Sequence, residues 1–176
     1  MIYLIILLSA VTFAISFVLN DFFFRSFGLS QYVSLLFIPS GVRIFFALIF
    51  DLYGVIGIAL GSLLISLFYL NEENLILVVS NALIAGGAAW FARWLSIKLF
   101  ALDVDLGRIT LLQLLQVTIV FSAVSSISHH LLFLELGMTE NFTTGVLSMF
   151  AGDVTGALVC LLCARYTVRL LRYKSS

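Results

Sequence analysis

Charged residues are scarce in this sequence. Nine lysines and arginines and nine aspartates and glutamates make up 10% of its 176 residues, and the formal net charge is zero. A protein that binds nucleic acid needs a concentrated basic surface along which the phosphate backbone can lie. Basic residues cluster only near the C-terminus, at Arg169, Arg172 and Lys174. We therefore predict that nucleic acid is not a partner.

Proline and cysteine are also rare. There is one proline, Pro39, and the two cysteines, Cys160 and Cys163, lie one helical turn apart in an apolar segment. This arrangement excludes the disulfide framework of small secreted domains. A C-x-x-C spacing also occurs in redox and metal sites, but here it has neither a second pair nor a nearby histidine. We interpret both cysteines as packing or lipid-facing residues, and we predict no metal site and no cofactor.

Catalytic motifs are missing as well. His129 and His130 follow a serine-rich run that ends at Ser128, but nucleophilic catalysis also requires an orienting acid and an oxyanion hole. The sequence lacks the strand-turn-helix motif that supplies a nucleophile in many hydrolases. We predict no catalytic residues and a protein that is not an enzyme.

Most of the chain is apolar. Hydrophobic residues make up 62% of it, and apolar runs of about 20 residues recur from end to end. Each run is long enough to cross a hydrocarbon core about 30 Å thick as a helix. Continuous apolar runs without period-two alternation favour helices over a membrane barrel. The predicted fold class is all-α: a polytopic membrane helix bundle that forms a single transmembrane domain over residues 1–176, with no soluble output domain.

Six apolar segments account for the sequence. We predict transmembrane helices at approximately residues 1–19, 31–52, 53–70, 75–99, 110–134 and 142–171. The first ends at Asn20 and Asp21, and it is retained, because it lacks the positive n-region and the cleavage site of a signal peptide. The second is interrupted near Pro39, where a broken or re-entrant helix is expected.

The distribution of basic residues predicts the orientation, because cytoplasmic loops carry an excess of lysine and arginine. The basic residues predicted to lie inside are Arg93, Lys98, Arg108, Arg169, Arg172 and Lys174. The acidic residues predicted to lie outside are Glu72, Glu73, Glu135 and Glu140. Arg25 alone falls on the opposite side from the other basic residues. Both termini are therefore predicted to be cytoplasmic.

Two charged residues lie deep within predicted spans. Arg43 follows Pro39 and Gly41 in the second span, and Asp153 lies about eleven residues into the sixth. Gly152 and Gly156 flank Asp153 with small residues that let a neighbouring helix approach, so Asp153 should face the bundle. Charges at this depth usually mark a functional site. We predict a polar centre in which Arg43 and Asp153 bind a ligand, with a structural ion pair between them as the alternative.

Two further residues are candidates for the same pocket. Asn81 lies deep in the fourth span, and His129 lies in the fifth, where only one of the adjacent histidines can face a given pocket. The alternative for His129 is an interfacial histidine without a special role. Gln113 and Gln116 are expected to form interhelical hydrogen bonds. Asp51 is expected at the inner membrane boundary, in contact with water and without a partner.

Several short motifs resemble a known family. Residues 37–44 (FIPSGVRI), 50–54 (FDLYG), 57–63 (GIALGSL) and 152–156 (GDVTG) resemble the motifs of bacterial membrane-associated sensor (MASE) domains, across about residues 36–169. The resemblance implies a bacterial inner-membrane protein that senses a signal. Members of that family are usually joined to a cyclase, phosphodiesterase or kinase. Since no such domain is present here, signalling would have to pass through a partner protein.

The layout is also similar to the substrate-binding membrane components of energy-coupling-factor vitamin transporters. Those components are small six-span proteins with both termini inside, and the Ala10 and Ala14 pair in the first span matches the small-x-x-x-small motif with which they dock on a scaffold. This similarity implies capture of a small molecule and its transfer to other subunits.

The sequence predicts an integral inner-membrane protein of the sensor-like or substrate-capture type, with a small-molecule ligand, the lipid bilayer and a membrane or signalling protein as partners. The alternative is a non-catalytic scaffold or accessory subunit of a larger membrane complex. In that case the same charges only hold the helices together.

Overall fold

The computed structural model describes residues 1–24, 28–30, 33–34, 36–102, 108–139 and 141–174. Helix α1 spans Ile2–Phe24, and a short antiparallel pair of strands follows, β1 at Gly28–Ser30 and β2 at Val33–Ser34. Helix α2 spans Pro39–Leu64 and continues as a π-helical turn, Ile65–Tyr69. The remaining helices are α3 at Leu75–Phe100, α4 at Leu111–Glu135 and α5 at Phe142–Lys174. The all-α fold class is confirmed, since the strands form only this small hairpin.

Five helices in the described part of the chain are long and apolar enough to cross a membrane. Many large apolar side chains on their outer surfaces are exposed, as expected for helices that face lipid. The predicted second and third spans fall within one helical segment, 39–69. That segment begins at Pro39, which occupies the first turn of the helix, where a proline costs no hydrogen bond. The predicted start at Gln31 lies outside the described residues.

This long segment is broken at Asp51. The residue has φ 48° and ψ −129°, which no helical residue adopts. In a straight helix residues 46 and 54 would lie about 12 Å apart along the axis. Here a Cβ added to Gly54 would run into the backbone carbonyl of Phe46. The chain therefore folds back at Asp51, and we call residues 39–50 the first arm and residues 52–69 the second arm.

The second arm packs along α1 in the same direction. A Cβ on Gly57 would meet the backbone of Ile6, and one on Gly61 would lie 2.7 Å from the carbonyl oxygen of Ala10. Small residues at this contact let the two helices approach closely. The small-residue face of α1 at Ala10 is thus already occupied within the chain.

The first arm packs against α5, also in the same direction. The Phe37 amide donates to the Gly152 carbonyl at 3.1 Å, and Gly156 lies so close to Phe37 that a Cβ would strike its carbonyl group. One turn further along, Gly41 faces Ala157. The GDVTG motif, residues 152–156, therefore forms the surface of α5 against which the start of α2 packs. We call this surface the seat of the first arm, and packing against it fixes the depth of Arg43 in the bundle.

Helix ends differ from the predictions where polar side chains are used inside the fold. α1 does not stop at Asn20, which is buried, with its Oδ1 accepting a hydrogen bond from the Ile38 amide at 3.0 Å. Asp21 likewise accepts from the Tyr69 hydroxyl at 2.7 Å. Both residues connect α1 to α2 instead of ending the helix. α4 begins with a capping box in which Thr110 and Gln113 satisfy each other's backbone amides.

Two apolar clusters form the core. One joins the first arm to α3, α4 and α5 around Ile44, Phe121 and Leu161. The other joins α1 to both arms and α3 around Phe13 and Ile58. The polar residues discussed below lie where these two clusters meet.

Candidate functional site

Arg43 is buried in the centre of the bundle, with 2% of its surface exposed. Its Nε donates to the carbonyl of Ala85 at 2.8 Å, and its Nη2 donates to the carbonyl of Ile84 at 3.3 Å. Its Nη1 donates to the Ser125 hydroxyl at 3.3 Å. The guanidinium carbon lies 4.9 Å from the centre of the Phe121 ring, a cation-π distance. Arg43 is therefore held by α3 and α4, on the opposite side from the α5 seat of its own helix.

Asp153 is completely buried, in agreement with the prediction that it faces the bundle. Neither carboxylate oxygen has a hydrogen-bond partner among the described residues. Its backbone carbonyl accepts from the Ser40 hydroxyl at 2.9 Å, which fixes α5 to the start of α2. A buried carboxylate without hydrogen bonds is unusual, because desolvation of its charge is not offset by local partners.

The predicted direct ion pair between Arg43 and Asp153 is absent. Among the described residues the one ion pair within 4.0 Å that the structure contains joins Arg93 to Asp51. Asp153 and Arg43 still interact electrostatically, and the Ser125 hydroxyl lies near the carboxylate without the geometry of a hydrogen bond. The Ser125 hydroxyl is therefore in contact with the guanidinium and close to the carboxylate.

A cavity of about 70 Å³ adjoins Arg43. It runs from Leu70, beside the 71–74 loop, to the level of Ala85, which at about 1.5 Å per residue lies roughly 15 Å into α3. Three of the four predicted ligand-binding residues, Arg43, Asn81 and His129, line this cavity. Asp153 is not among the residues that line it. The predicted site included Asp153, whereas in the structure this residue lies outside the cavity lining.

Asn81 lies on α3, one turn before Ala85, and its Oδ1 is buried without a hydrogen-bond partner in the described part of the chain. An amide oxygen in this position can accept a hydrogen bond from a molecule in the cavity. Its unmet hydrogen-bonding capacity is a second observation, independent of Arg43, that points to this cavity.

His129 and His130 have different surroundings. His129 is 8% exposed, lines the cavity, and its Nδ1 lies 2.8 Å from the Ser125 carbonyl oxygen. Since a carbonyl oxygen only accepts, Nδ1 must donate, and the Nε2 of the neutral ring is then an acceptor. His130 bonds to the Ser126 carbonyl and packs against Gly145 of α5. His129 is thus the histidine of the pair that faces the cavity.

Sequence reasoning missed the residues that complete the site. Ser125 was noted only as part of a serine-rich run, and its role as the contact of Arg43 has no sequence motif. The walls of the cavity are largely aromatic and aliphatic. They include Phe13, Phe17, Phe37, Phe133, Ile65 and Met149. These residues come from four helical elements and the approach to α2, and in an apolar sequence nothing marks them as different from other membrane-facing residues.

Comparisons with protein-family models, with curated proteins and with solved structures gave no match. The resemblance to membrane-associated sensor domains, and the weaker one to energy-coupling-factor components, stay predictions. The site must therefore be interpreted from its own geometry.

Other polar residues have local roles. Asp51 was expected to need no partner, but Arg93 donates to it at 3.0 Å. Gln113 caps α4 and donates from its side-chain amide to the carbonyl of Ala101 at 2.9 Å, so it connects the α3 and α4 ends. Within the described residues no three histidine, cysteine, aspartate or glutamate side chains are grouped as a metal site would require.

Proposed function

We propose that this chain is an integral inner-membrane protein that binds a small ligand within its helix bundle and acts through partner proteins, as a sensor or as a substrate-capture component. The observation that carries the proposal is the cavity at Arg43. A guanidinium buried at membrane depth adjoins a space that also reaches His129 and Asn81, whose side-chain oxygen has no partner within the described part of the chain. Ionisable residues inside a membrane are costly and usually belong to ligand or ion sites.

The proposal includes six membrane passes with both termini in the cytoplasm. Support comes from the directions of the helices: the second arm runs with α1, the first arm runs with α5, and the chain reverses at Asp51. The first arm is only about 18 Å long, shorter than the membrane core. The proposal counts it as a pass because the chain reverses direction at Asp51, and the two arms then give an even total. The basic residues Arg93 and Lys98 lie in the last two turns of α3, at the end proposed to face the cytoplasm. The cavity then opens toward the outer face.

Action through a partner follows from the resemblance to membrane-associated sensor domains. In the proposed role, ligand binding changes the conformation of the helix bundle. A membrane or signalling protein bound to the bundle then responds to that change. The proposal assigns no chemical step to the chain, and it includes no catalytic residue, metal or cofactor.

Native mass spectrometry of protein extracted gently from its own membrane tests ligand binding. We expect a small-molecule adduct on the wild type that is lost from Asn81→Leu, which keeps the size of the side chain but removes both of its hydrogen-bonding groups. Gly87→Ala is the matched control on the same helix, because nothing lies within 4 Å of an added Cβ there. Folded wild-type protein without any adduct, from cells that supply its natural ligand pool, would contradict the proposal.

A groove on the lipid-facing side favours the scaffold as a second candidate. It lies between α3 and α4, measures about 310 Å³ and is lined by Leu83, Gly87, Phe91, Val124 and Ser128. Small residues in such a groove allow a helix of another protein to approach. In this case Gly87→Leu should release a copurifying membrane protein, whereas Asn81→Leu should not. The reverse pattern would contradict the scaffold role.

A further inference from the structure

The polar groups around the cavity restrict the kind of ligand that it can hold. Among the described residues that line it, Arg43 is the one with a permanent charge. A guanidinium has five N–H groups, and Arg43 uses three of them on Ala85, Ile84 and Ser125. Two donors are left, on a residue whose nearest carboxylate, Asp153, forms no hydrogen bond with it. Carboxylate and phosphate are the ligand groups that match a guanidinium, and we choose the carboxylate because it is the smaller of the two.

Two acceptors face the cavity besides the hydroxyls of Ser62 and Ser66, which can both donate and accept. The Asn81 Oδ1 has no donor among the described residues, and the neutral His129 ring presents Nε2 as an acceptor, because its Nδ1 donates to Ser125. A ligand that carried only a carboxylate would leave both acceptors without a donor. Buried acceptors without a partner weaken binding, so a ligand that also carries a hydroxyl group is favoured.

The size and walls of the cavity limit the rest of the molecule. Its volume is about 70 Å³, roughly half of the 150 Å³ of an engineered cavity that holds benzene. Phe13, Phe17, Phe133 and Ile65 supply apolar walls. The body of the ligand should therefore be small and aliphatic, with a few carbon atoms.

We propose that the ligand is a short-chain hydroxymonocarboxylate whose carboxylate binds Arg43 and whose hydroxyl donates to the Asn81 Oδ1. This inference rests on the proposed function, because it names the ligand class of the same cavity. It predicts that Arg43 makes the protein prefer charged over neutral ligands, and that Asn81 makes it prefer ligands with a hydroxyl group over those without one.

Ligand-induced thermal stabilisation of the full-length protein in detergent tests the inference. The probes are lactate, propionate, lactamide and 1,2-propanediol, which share a three-carbon body and differ in charge and hydroxyl. We expect lactate to bind most tightly, propionate about tenfold more weakly, and the two neutral compounds more weakly still. Equal binding of lactate and lactamide would overturn recognition of the carboxylate, and equal binding of lactate and propionate would overturn recognition of the hydroxyl.

Two variants assign the contacts. Arg43→Gln should reduce the affinity for both carboxylates about tenfold or more, and Asn81→Leu should abolish the preference for lactate over propionate while it keeps the preference for charge. If Arg43→Gln does not fold, the lactate-over-propionate preference of Asn81→Leu still tests the inference, with Gly87→Ala as the control. An unchanged preference in Asn81→Leu would contradict the inference.

Different results would contradict the ligand class and the proposed function. If native mass spectrometry finds an adduct that depends on Asn81 but no carboxylate stabilises the protein, the ligand class is wrong and the proposed function stands. If no adduct is found and no probe binds, both are wrong.

Discussion

Arg43 and Asp153 interact electrostatically in the centre of the bundle, but they form no ion pair within 4.0 Å, and the guanidinium Nη1 donates instead to the Ser125 hydroxyl at 3.3 Å. The guanidinium is held by two backbone carbonyls, the Ser125 hydroxyl and a ring face, which leave two of its N–H groups for a ligand. The carboxylate, in contrast, has no hydrogen-bond partner among the described residues. The two charges are therefore not equivalent: one is held by the fold, and the other is buried without direct support.

A double-mutant cycle with Arg43→Gln and Asp153→Asn measures this difference. We expect a coupling free energy below the roughly 3–5 kcal/mol that is lost when a direct buried pair is broken, because the two charges interact only through space. Asp153→Asn alone should lower the melting temperature in detergent only slightly, because it removes a charge that has no hydrogen bond among the described residues. A large loss of stability in Asp153→Asn that Arg43→Gln restores would show a structural ion pair instead.

Part of this site could be predicted from the sequence. The depth of Arg43, Asn81 and His129 follows from counting residues along apolar runs, and the three residues do line one cavity. The separation of Asp153 from the cavity could not be predicted, because depth alone says nothing about rotation around the helix axis. The carbonyl partners of Arg43 are backbone atoms of Ile84 and Ala85, and any sequence would offer them.

The fold was predictable to a similar extent. The bounds of α3 and α4 agree with the apolar runs to within one residue, because polar loops and capping residues such as Asn74 and Thr110 mark them. The end of α1 was not predictable, since Asn20 resembles a stop signal but forms a tertiary hydrogen bond. The break at Asp51 coincides with the predicted boundary between the second and third spans. The close contact between Gly54 and the Phe46 carbonyl shows how tightly the chain turns at this break.

The seat of the first arm on α5 should be intolerant of added volume. Gly156→Ala would drive a Cβ into the Phe37 carbonyl group, and overpacking of this kind costs about 1–3 kcal/mol. Gly87→Ala is the matched control, because its Cβ meets nothing within 4 Å and the substitution should stabilise a helix by about 0.5–1 kcal/mol. Thermal unfolding in detergent compares the two. Equal effects of both substitutions would argue against the close approach at Gly156.

The break at Asp51 is a strained position. Its φ of 48° is uncommon for any residue other than glycine, and such backbone strain costs about 1–3 kcal/mol. Its ion pair with Arg93 is partly exposed, with 53% of the Asp51 side chain accessible, so the pair contributes at most about 1 kcal/mol. Asp51→Gly should therefore raise the melting temperature, although it removes the pair.

Arg93→Gln is the control for that substitution, because it breaks the pair and leaves the backbone strain in place. We expect a small decrease in melting temperature from Arg93→Gln and an increase from Asp51→Gly. A decrease in both would mean that the ion pair, and not the backbone conformation, determines stability at the turn.

The proposed six passes predict which loops are accessible from each side of the membrane. In a background in which Cys160 and Cys163 are replaced by alanine, a cysteine at Glu73 should react with an impermeant maleimide added to intact cells. A cysteine at Arg108 should react only after the membrane is opened, because α3 carries the chain across to the cytoplasmic side.

The N-terminus should share the protection of Arg108, since α1 runs with the second arm, and the second arm leads to Glu73. An N-terminus labelled from outside, together with a protected Arg108, would require the arms 39–50 and 52–69 to cross the membrane as one pass, and the number of passes would then be five.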